Sequence, residues 1–95
     1  MLAFALHIRI KPEYEPEALR TLSDIERSSR ADAGCLGFTW FRDQNEPDRF
    51  LLIEQWESQQ HLDAHLSKVL PVWEPFTPAL AEEPRSVPLR PVVEN

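Results

Sequence analysis

Cysteine and glycine are scarce in this 95-residue chain, which contains one cysteine, Cys35, and two glycines. A single cysteine excludes an internal disulfide and is typical of a reducing compartment, so we expect a cytoplasmic protein. No histidine motif accompanies Cys35, and a small packing residue is favoured over a nucleophile. Two glycines also exclude a glycine-rich phosphate-binding loop.

Basic runs and long apolar runs are absent as well. Ten basic residues against 16 acidic ones give a net charge of −6, so neither nucleic acid nor an anionic membrane surface is an expected partner. No apolar run approaches the roughly 20 residues that cross a bilayer, and residues 1–10 alternate rather than form the apolar core of a signal peptide. With 42% hydrophobic residues and room for one core, a single domain over residues 1–95 is predicted.

The spacing of the apolar residues predicts six elements in the order strand, helix, strand, strand, helix, strand. The strands are expected at residues 2–10, 36–42, 50–56 and 85–94, and the helices at residues 16–30 and from Ser58 onward. Ser58 is interpreted as a helix cap, and Gly34 can close the first helix in a left-handed conformation.

Prolines limit two of these elements. Pro71, Pro75 and Pro78 are expected to divide the region after residue 68 into short helical or irregular pieces, because proline interrupts a helix. Pro88 and Pro91 lie in the last predicted strand. Since proline removes a donor from the hydrogen-bond ladder, that strand should lie at a sheet edge.

The element order predicts an α+β fold, a ferredoxin-like βαββαβ antiparallel sheet with both helices on one face. The first three strands are apolar on both faces; in the third, Leu51 and Ile53 alternate with Phe50 and Leu52. Because two helices cover only one face, we expect a homodimer in which the open sheet face packs on a second copy of the chain. His7 is expected on that side, as an interface residue.

An apolar space is predicted between the third strand and the second helix. Glu54 and Trp56 share one face of the strand, because side chains alternate with a period of two. Leu62 and His65 share one face of the helix, at a spacing of three. If the helix folds back on the strand, Trp56, His65 and Glu54 surround one space.

Three segments resemble the antibiotic biosynthesis monooxygenase family: GCLGF at residues 34–38, FLLIEQWES at residues 50–58 and HL at residues 65–66. They include a Glu-x-Trp motif followed nine residues after the Trp by a His. The likeness extends over nearly the whole chain, and one departure is Glu13, where the family often has glycine. The resemblance implies dimeric α+β barrels built from ferredoxin-like protomers.

The resemblance also implies a cofactor-free monooxygenase that oxidises quinols or polycyclic phenols with molecular oxygen. A deprotonated phenol or quinol can pass an electron to oxygen itself, so no metal, flavin or other cofactor is expected. Other members degrade haem with an Asn on the first strand. Residues 2–10 contain no Asn, and His65 falls about where those relatives carry a Trp, so haem degradation is disfavoured.

On this resemblance, His65 is the candidate catalytic residue, as a base or proton relay, because imidazole titrates near neutrality. The residues predicted to bind a small aromatic substrate are Leu6, Trp40, Glu54, Trp56, Leu62, Trp73 and Phe76. The alternative for His65 is a buried helix histidine that bonds Glu54 or a backbone carbonyl. Glu54 either orients His65 or is a structural acceptor, which is the favoured interpretation.

His61 and His65 are four residues apart, as zinc ligands often are. The intervening residues lack the Glu of a zinc protease, and no Cys or third His is near in sequence, so no metal site is predicted. The alternative function is a non-catalytic dimeric module that binds a small apolar ligand or serves as a stress-response accessory.

Overall fold

The computed structural model describes residues 1–93 and has the predicted element order. Its strands are β1 (Leu2–Arg9), β2 (Cys35–Arg42), β3 (Arg49–Trp56) and β4 (Arg85–Leu89), and its helices are α1 (Glu15–Arg30) and α2 (Gln59–Phe76). Short 3-10 turns at Pro12–Tyr14 and Thr77–Ala79 precede α1 and follow α2. The last strand is shorter than predicted, and residue 94, which the prediction included, lies outside the described residues.

The strands form one antiparallel sheet in the order β2-β3-β1-β4, and the predicted ferredoxin-like α+β fold is confirmed. β4 lies at an edge, as its prolines predicted, with Pro88 opposite Phe4. The register places Leu6 and Trp40 on either side of Leu52, each directly opposite it. Because directly opposed residues share a sheet face, these three side chains form a row across the sheet.

The helix α1 packs an apolar stripe on the sheet. Ala18, Leu22 and Ile25 recur at spacings of three and four and are buried. Beyond the helix, Gly34 has a φ of +79°, the left-handed conformation predicted for it. A Cβ atom on Gly34 would lie 2.2 Å from Cγ of His61. The missing side chain therefore lets the turn after α1 approach α2 closely.

The helix α2 runs unbroken through Pro71 and Pro75, so the prediction of short pieces is wrong there, whereas Pro78 lies in the short 3-10 turn that follows. Pro71 and Pro75 are four residues apart and exposed, so the carbonyl groups that lose a helical donor lie near solvent and can bond water. On another side of the helix, Trp73 and Phe76 pack against the core, which offsets the cost of the prolines. A membrane-crossing helix, which needs both length and apolar side chains, does not occur among residues 1–93.

The hydrophobic core lies between the helices and one face of the sheet. It has two parts, one around Phe50 and one around Trp56, which is completely buried. The opposite face of the sheet carries Leu51 and Ile53 of β3 and Phe41 of β2, which is 53% exposed. Neither helix covers this face, so it remains apolar and open in the described chain.

Candidate functional site

An apolar cavity of about 160 Å³ lies between the sheet and α2. Strand residues and one residue of α1 form one side of it: Leu6, Ile25, Phe38, Trp40, Leu52 and Glu54. Residues of α2 form the other side: His65, Leu66, Val69, Leu70 and Trp73. A larger groove of about 230 Å³ between α1 and α2 has no histidine or aromatic side chain in its lining. Of these two spaces, the smaller cavity is the one that combines a histidine with aromatic side chains.

The structure brings most of the predicted site residues to this cavity. Those that line it are Leu6, Trp40, Glu54, His65 and Trp73. Those that do not are Trp56, Leu62 and Phe76. Trp56 and Leu62 belong to the buried cluster next to the cavity, and the ring of Phe76 packs 5.0 Å from that of Trp73. These three residues support the lining from outside.

The ring of His65 is held by two aromatic neighbours. α2 places His65 on its sheet-facing side, where the residue is 4% exposed. The imidazole lies over Trp56, with ring centroids 4.4 Å apart and planes at 35°. It meets Phe38 edge-on, at 5.5 Å and 61°. This packing restricts the rotation of the imidazole at the edge of the cavity.

Asp32 is the hydrogen-bond partner of His65. Its Oδ2 lies 3.0 Å from Nδ1 of His65. An ionised carboxylate can only accept, so Nδ1 carries the proton, and Nε2 is the unprotonated nitrogen of the neutral ring. Nε2 makes no hydrogen bond within residues 1–93. The alternative interpretation of His65 named Glu54 or a backbone carbonyl as its partner, and that partner is incorrect because the bond goes to Asp32.

Lys68 binds the second oxygen of the same carboxylate. Its Nζ donates to Oδ1 of Asp32 and to the carbonyl oxygen of Ser28, the latter at 3.2 Å. Burial alone would raise the pKa of Asp32, but the hydrogen bonds from Lys68 and His65, together with the positive charge of Lys68, lower that pKa below its usual range. Asp32 therefore stays ionised at neutral pH and remains an acceptor for His65.

Two further polar groups lie at the cavity. Oε1 of Glu54 accepts a hydrogen bond from Nε1 of Trp56 at 2.8 Å, while its Oε2 makes none within residues 1–93. Nε1 of Trp40 is a buried donor without a hydrogen-bond partner in the described part of the chain. Buried donors in native proteins are nearly always paired.

His61 belongs to a different environment. Its Nδ1 lies 2.8 Å from Oγ of Ser58, and Oγ also accepts from the backbone N–H of His61, which confirms Ser58 as the helix cap. His61 packs over Gly34 and does not line the cavity. Residues 1–93 contain no group of three or more His, Cys, Asp or Glu side chains placed to hold a metal ion.

Asp32 was not among the predicted site residues. It lies in the turn after α1, 33 positions before His65, and neither apolar spacing nor a motif links the two positions. The one available signal is Gly34, whose left-handed conformation and missing side chain let this turn lie close to α2. That signal places the turn but does not select the aspartate.

The fold and the cavity define a small ferredoxin-like α+β protein with a buried histidine beside an apolar, partly aromatic pocket. The sequence profile of the antibiotic biosynthesis monooxygenase family matches residues 1–69. The chain therefore belongs to that family, and the resemblance drawn from the sequence is confirmed.

Individual relatives are distant in sequence. An uncharacterized protein of Synechocystis sp. is 25% identical over 97 residues; the match covers 99% of this chain, which spans 65% of that protein's length. YcnE of Bacillus subtilis, which its name assigns provisionally to the monooxygenases, is 26% identical over 65 residues, 68% of each chain. A crystal structure of an antibiotic biosynthesis monooxygenase superposes with a TM-score of 0.90 at 24% identity, over 98% of this chain and 100% of that one. The superposition establishes the fold.

Proposed function

We propose that this protein is a cofactor-independent monooxygenase that oxidises a quinol or another phenolic compound with molecular oxygen. Family membership supports monooxygenase chemistry. The observation that carries the proposal is the arrangement at His65, whose Nδ1 bonds Asp32 and whose ring lines an apolar cavity. A positioned base beside an apolar, partly aromatic pocket is what such a reaction needs from a protein. The single cysteine supports a cytoplasmic location.

The proposed reaction begins with proton transfer from a ring hydroxyl to Nε2 of His65. The phenolate then gives one electron to O₂, and the resulting radical and superoxide combine to form a carbon–oxygen bond. The peroxide takes back the proton from His65 and loses water. One oxygen atom thus enters the ring as a carbonyl group. The other leaves in water, together with the ring C–H hydrogen and the returned proton.

Asp32 is a positioning residue in this scheme, because it acts through His65. Its carboxylate fixes the ring with Nε2 unprotonated, and its negative charge stabilises the imidazolium that forms when His65 accepts a proton. Lys68 keeps Asp32 ionised while leaving Oδ2 to His65. The cavity would thereby contain a base that needs no further rearrangement before proton transfer.

Oxygen uptake by the purified protein with a panel of quinols and phenols tests the proposal. We expect uptake by the wild type, and a loss of about 10²–10⁴-fold in kcat for His65→Gln, which fills similar space but cannot accept the proton. His61→Gln is the matched control on the same helix, outside the cavity lining, and should retain wild-type uptake. Full activity of His65→Gln would show that another group is the base.

The alternative is a non-catalytic module that binds a small apolar ligand or serves as a stress-response accessory. It predicts ligand binding without oxygen uptake for every compound in the panel. Haem degradation predicts a Soret shift when haemin is added, and we expect a flat titration. A saturable Soret shift would return haem to consideration as the ligand.

We also propose a homodimer formed through the open sheet face. Leu51, Ile53 and the half-exposed Phe41 give this face an apolar surface, and His7 stands opposite Leu51 on it. Sedimentation equilibrium should give twice the mass of one chain. Phe41→Glu should yield monomers, because it places a charge in an apolar interface. A wild-type protein that sediments as a monomer would contradict the proposal.

A further inference from the structure

We propose that Glu26 and Arg30 of α1 close the outer edge of β2, and so prevent a strand of a second copy of the chain from extending the sheet. The proposal does not depend on the oxidation proposed above, because it concerns the edge of the sheet and not the cavity. It directs self-association to other surfaces of the molecule, such as the open sheet face.

The outer edge of β2 has the features of a strand that can add a partner. β2 is the outer strand at one end of the order β2-β3-β1-β4 and pairs with β3. It is eight residues long, and two of its apolar residues, Leu36 and Phe41, are half-exposed. A long apolar strand with unpaired backbone groups is a template for pairing with another chain. The opposite edge strand, β4, is five residues long and contains Pro88, which supplies no donor.

The carboxylate of Glu26 occupies a backbone donor in the middle of β2. Its Oε1 accepts a hydrogen bond from the backbone N–H of Trp40 at 2.6 Å. Alternate residues of an antiparallel edge strand direct their N–H groups away from the neighbouring strand, so this donor would otherwise be open to an added strand. A charged acceptor forms a stronger hydrogen bond than a neutral carbonyl group. An incoming strand therefore offers Trp40 a poorer partner than the one it has.

The guanidinium of Arg30 occupies the neighbouring acceptor of the same edge. Its Nε donates to the carbonyl oxygen of Phe38 at 2.9 Å, and its Nη2 donates to Oγ1 of Thr39 at 3.2 Å. Nη2 also lies 3.4 Å from Oε2 of Glu26. The two side chains are four residues apart with the acid first, the order that favours an ion pair on a helix. They therefore close the donor of Trp40 and the acceptor of Phe38 as one unit.

Other features interrupt the edge on either side of this unit. The register of β2 on β3 shifts at Leu36, before Gly37. Such irregularities bend an edge strand and terminate regular pairing. The other end of β2 carries the charged Arg42, and charged side chains also disfavour pairing at an edge. The regular stretch between these ends depends for its closure on Glu26 and Arg30.

Amide hydrogen exchange of the whole chain tests whether the carboxylate closes the edge. Glu26→Ala should speed exchange at the Trp40 amide about ten- to a hundredfold, because it removes a charge-assisted hydrogen bond. Glu26→Gln keeps an oxygen acceptor and should restore part of the protection. The matched control is Asp24→Ala/Arg27→Ala, which removes an exposed ion pair of the same helix. The amides of β2 that bond β3 serve as the internal reference.

Sedimentation velocity over a range of concentrations tests the effect on self-association. The wild type and Asp24→Ala/Arg27→Ala should share one size distribution, whereas Glu26→Ala/Arg30→Ala should form larger species. In those species the Trp40 amide should regain protection, because the backbone of an added strand binds it. The comparison is the same whether the wild type sediments as a monomer or as the proposed dimer.

Two results would overturn the inference. One is a Trp40 amide that exchanges at the wild-type rate in folded Glu26→Ala, because the carboxylate would then not close the edge. The other is fast exchange at Trp40 in Glu26→Ala/Arg30→Ala without species larger than those of the wild type, because the opened edge would then add no strand. If the double variant does not fold, both measurements are made on Glu26→Ala alone, and the same two results decide.

Discussion

Removal of the carboxylate of Asp32 should move the proton on the ring of His65. In the wild type, a charge-assisted hydrogen bond of 3.0 Å stabilises the form with the proton on Nδ1. Such a bond contributes about 1.5–3 kcal/mol, which biases the ratio of the two neutral forms by roughly ten- to a hundredfold. Asp32→Ala removes this bias, so the form with the proton on Nε2 should become well populated.

Nitrogen-15 NMR of the imidazole, at a pH where the ring is neutral, measures this change directly. We expect wild-type His65 to show a protonated Nδ1 and an unprotonated Nε2, and Asp32→Ala to show mixed or reversed shifts. Asp32→Asn should retain part of the wild-type pattern, because its amide oxygen can still accept. Lys68→Ala should leave the pattern unchanged, and His61 serves as an internal reference.

A merely structural role for Asp32 would lower stability without changing the location of the proton. Asp32→Ala should lower the free energy of unfolding by about 1.5–3 kcal/mol, so the melting temperature alone does not distinguish the two roles. If His65 in folded Asp32→Ala still carries its proton on Nδ1 to the wild-type extent, Asp32 does not position the base. The proposed division of roles between these two residues would then be wrong.

Further predictions concern stability. Because the pKa of Asp32 is lowered in the folded state, its carboxylate contributes fully to stability above the unfolded pKa of about 3.9, and this contribution is lost as pH falls through the folded pKa. In urea unfolding, the free energies of unfolding of the wild type and Asp32→Asn should therefore converge below about pH 4. A difference that stays constant with pH would contradict this. Gly34→Ala should lower the free energy of unfolding by about 2 kcal/mol or more, since it combines left-handed strain with a contact of 2.2 Å to His61. In thermal unfolding, a double variant with His61→Ala should recover part of that stability. An unchanged stability of Gly34→Ala would exclude the close approach. Ser58→Ala should lower the free energy of unfolding by about 1 kcal/mol, because it removes the cap of α2. Ser67→Ala, at an exposed position in the same helix, should change it little, and equal losses for the two variants in chemical denaturation would exclude the cap.

The strand side of the cavity could be predicted from the sequence because it depends on a local period. Side chains alternate along a strand. Trp40 therefore had to lie on the same face of β2 as Phe38, and Glu54 on the same face of β3 as Leu52. The right-handed crossovers then fixed which face the helices cover. The spacing of α2 brought His65 to the same side. Each of these inferences spans only a few residues of chain or one rule of topology.

The partner of His65 could not be predicted, because the contact joins a turn and a helix 33 positions apart. Glu54 was the nearer candidate in sequence, but the indole N–H of Trp56, two residues along the strand, occupies one of its oxygens. Pro71 misled the prediction for the opposite reason. A strong local signal there was overridden by tertiary packing, since Trp73 holds the helix to the core beyond the proline.

The anchoring of α2 is unequal along its length. In its earlier turns, His65 and Lys68 both bond Asp32. Beyond them, Pro71 and Pro75 supply no backbone N–H, so fewer hydrogen bonds must break for the helix to move. There the helix depends on side-chain packing instead, because Trp73 and Phe76 hold the later turns to the core. The turns that carry His65 and Lys68 thus depend on polar contacts to Asp32, and the later turns depend on aromatic contacts to the core.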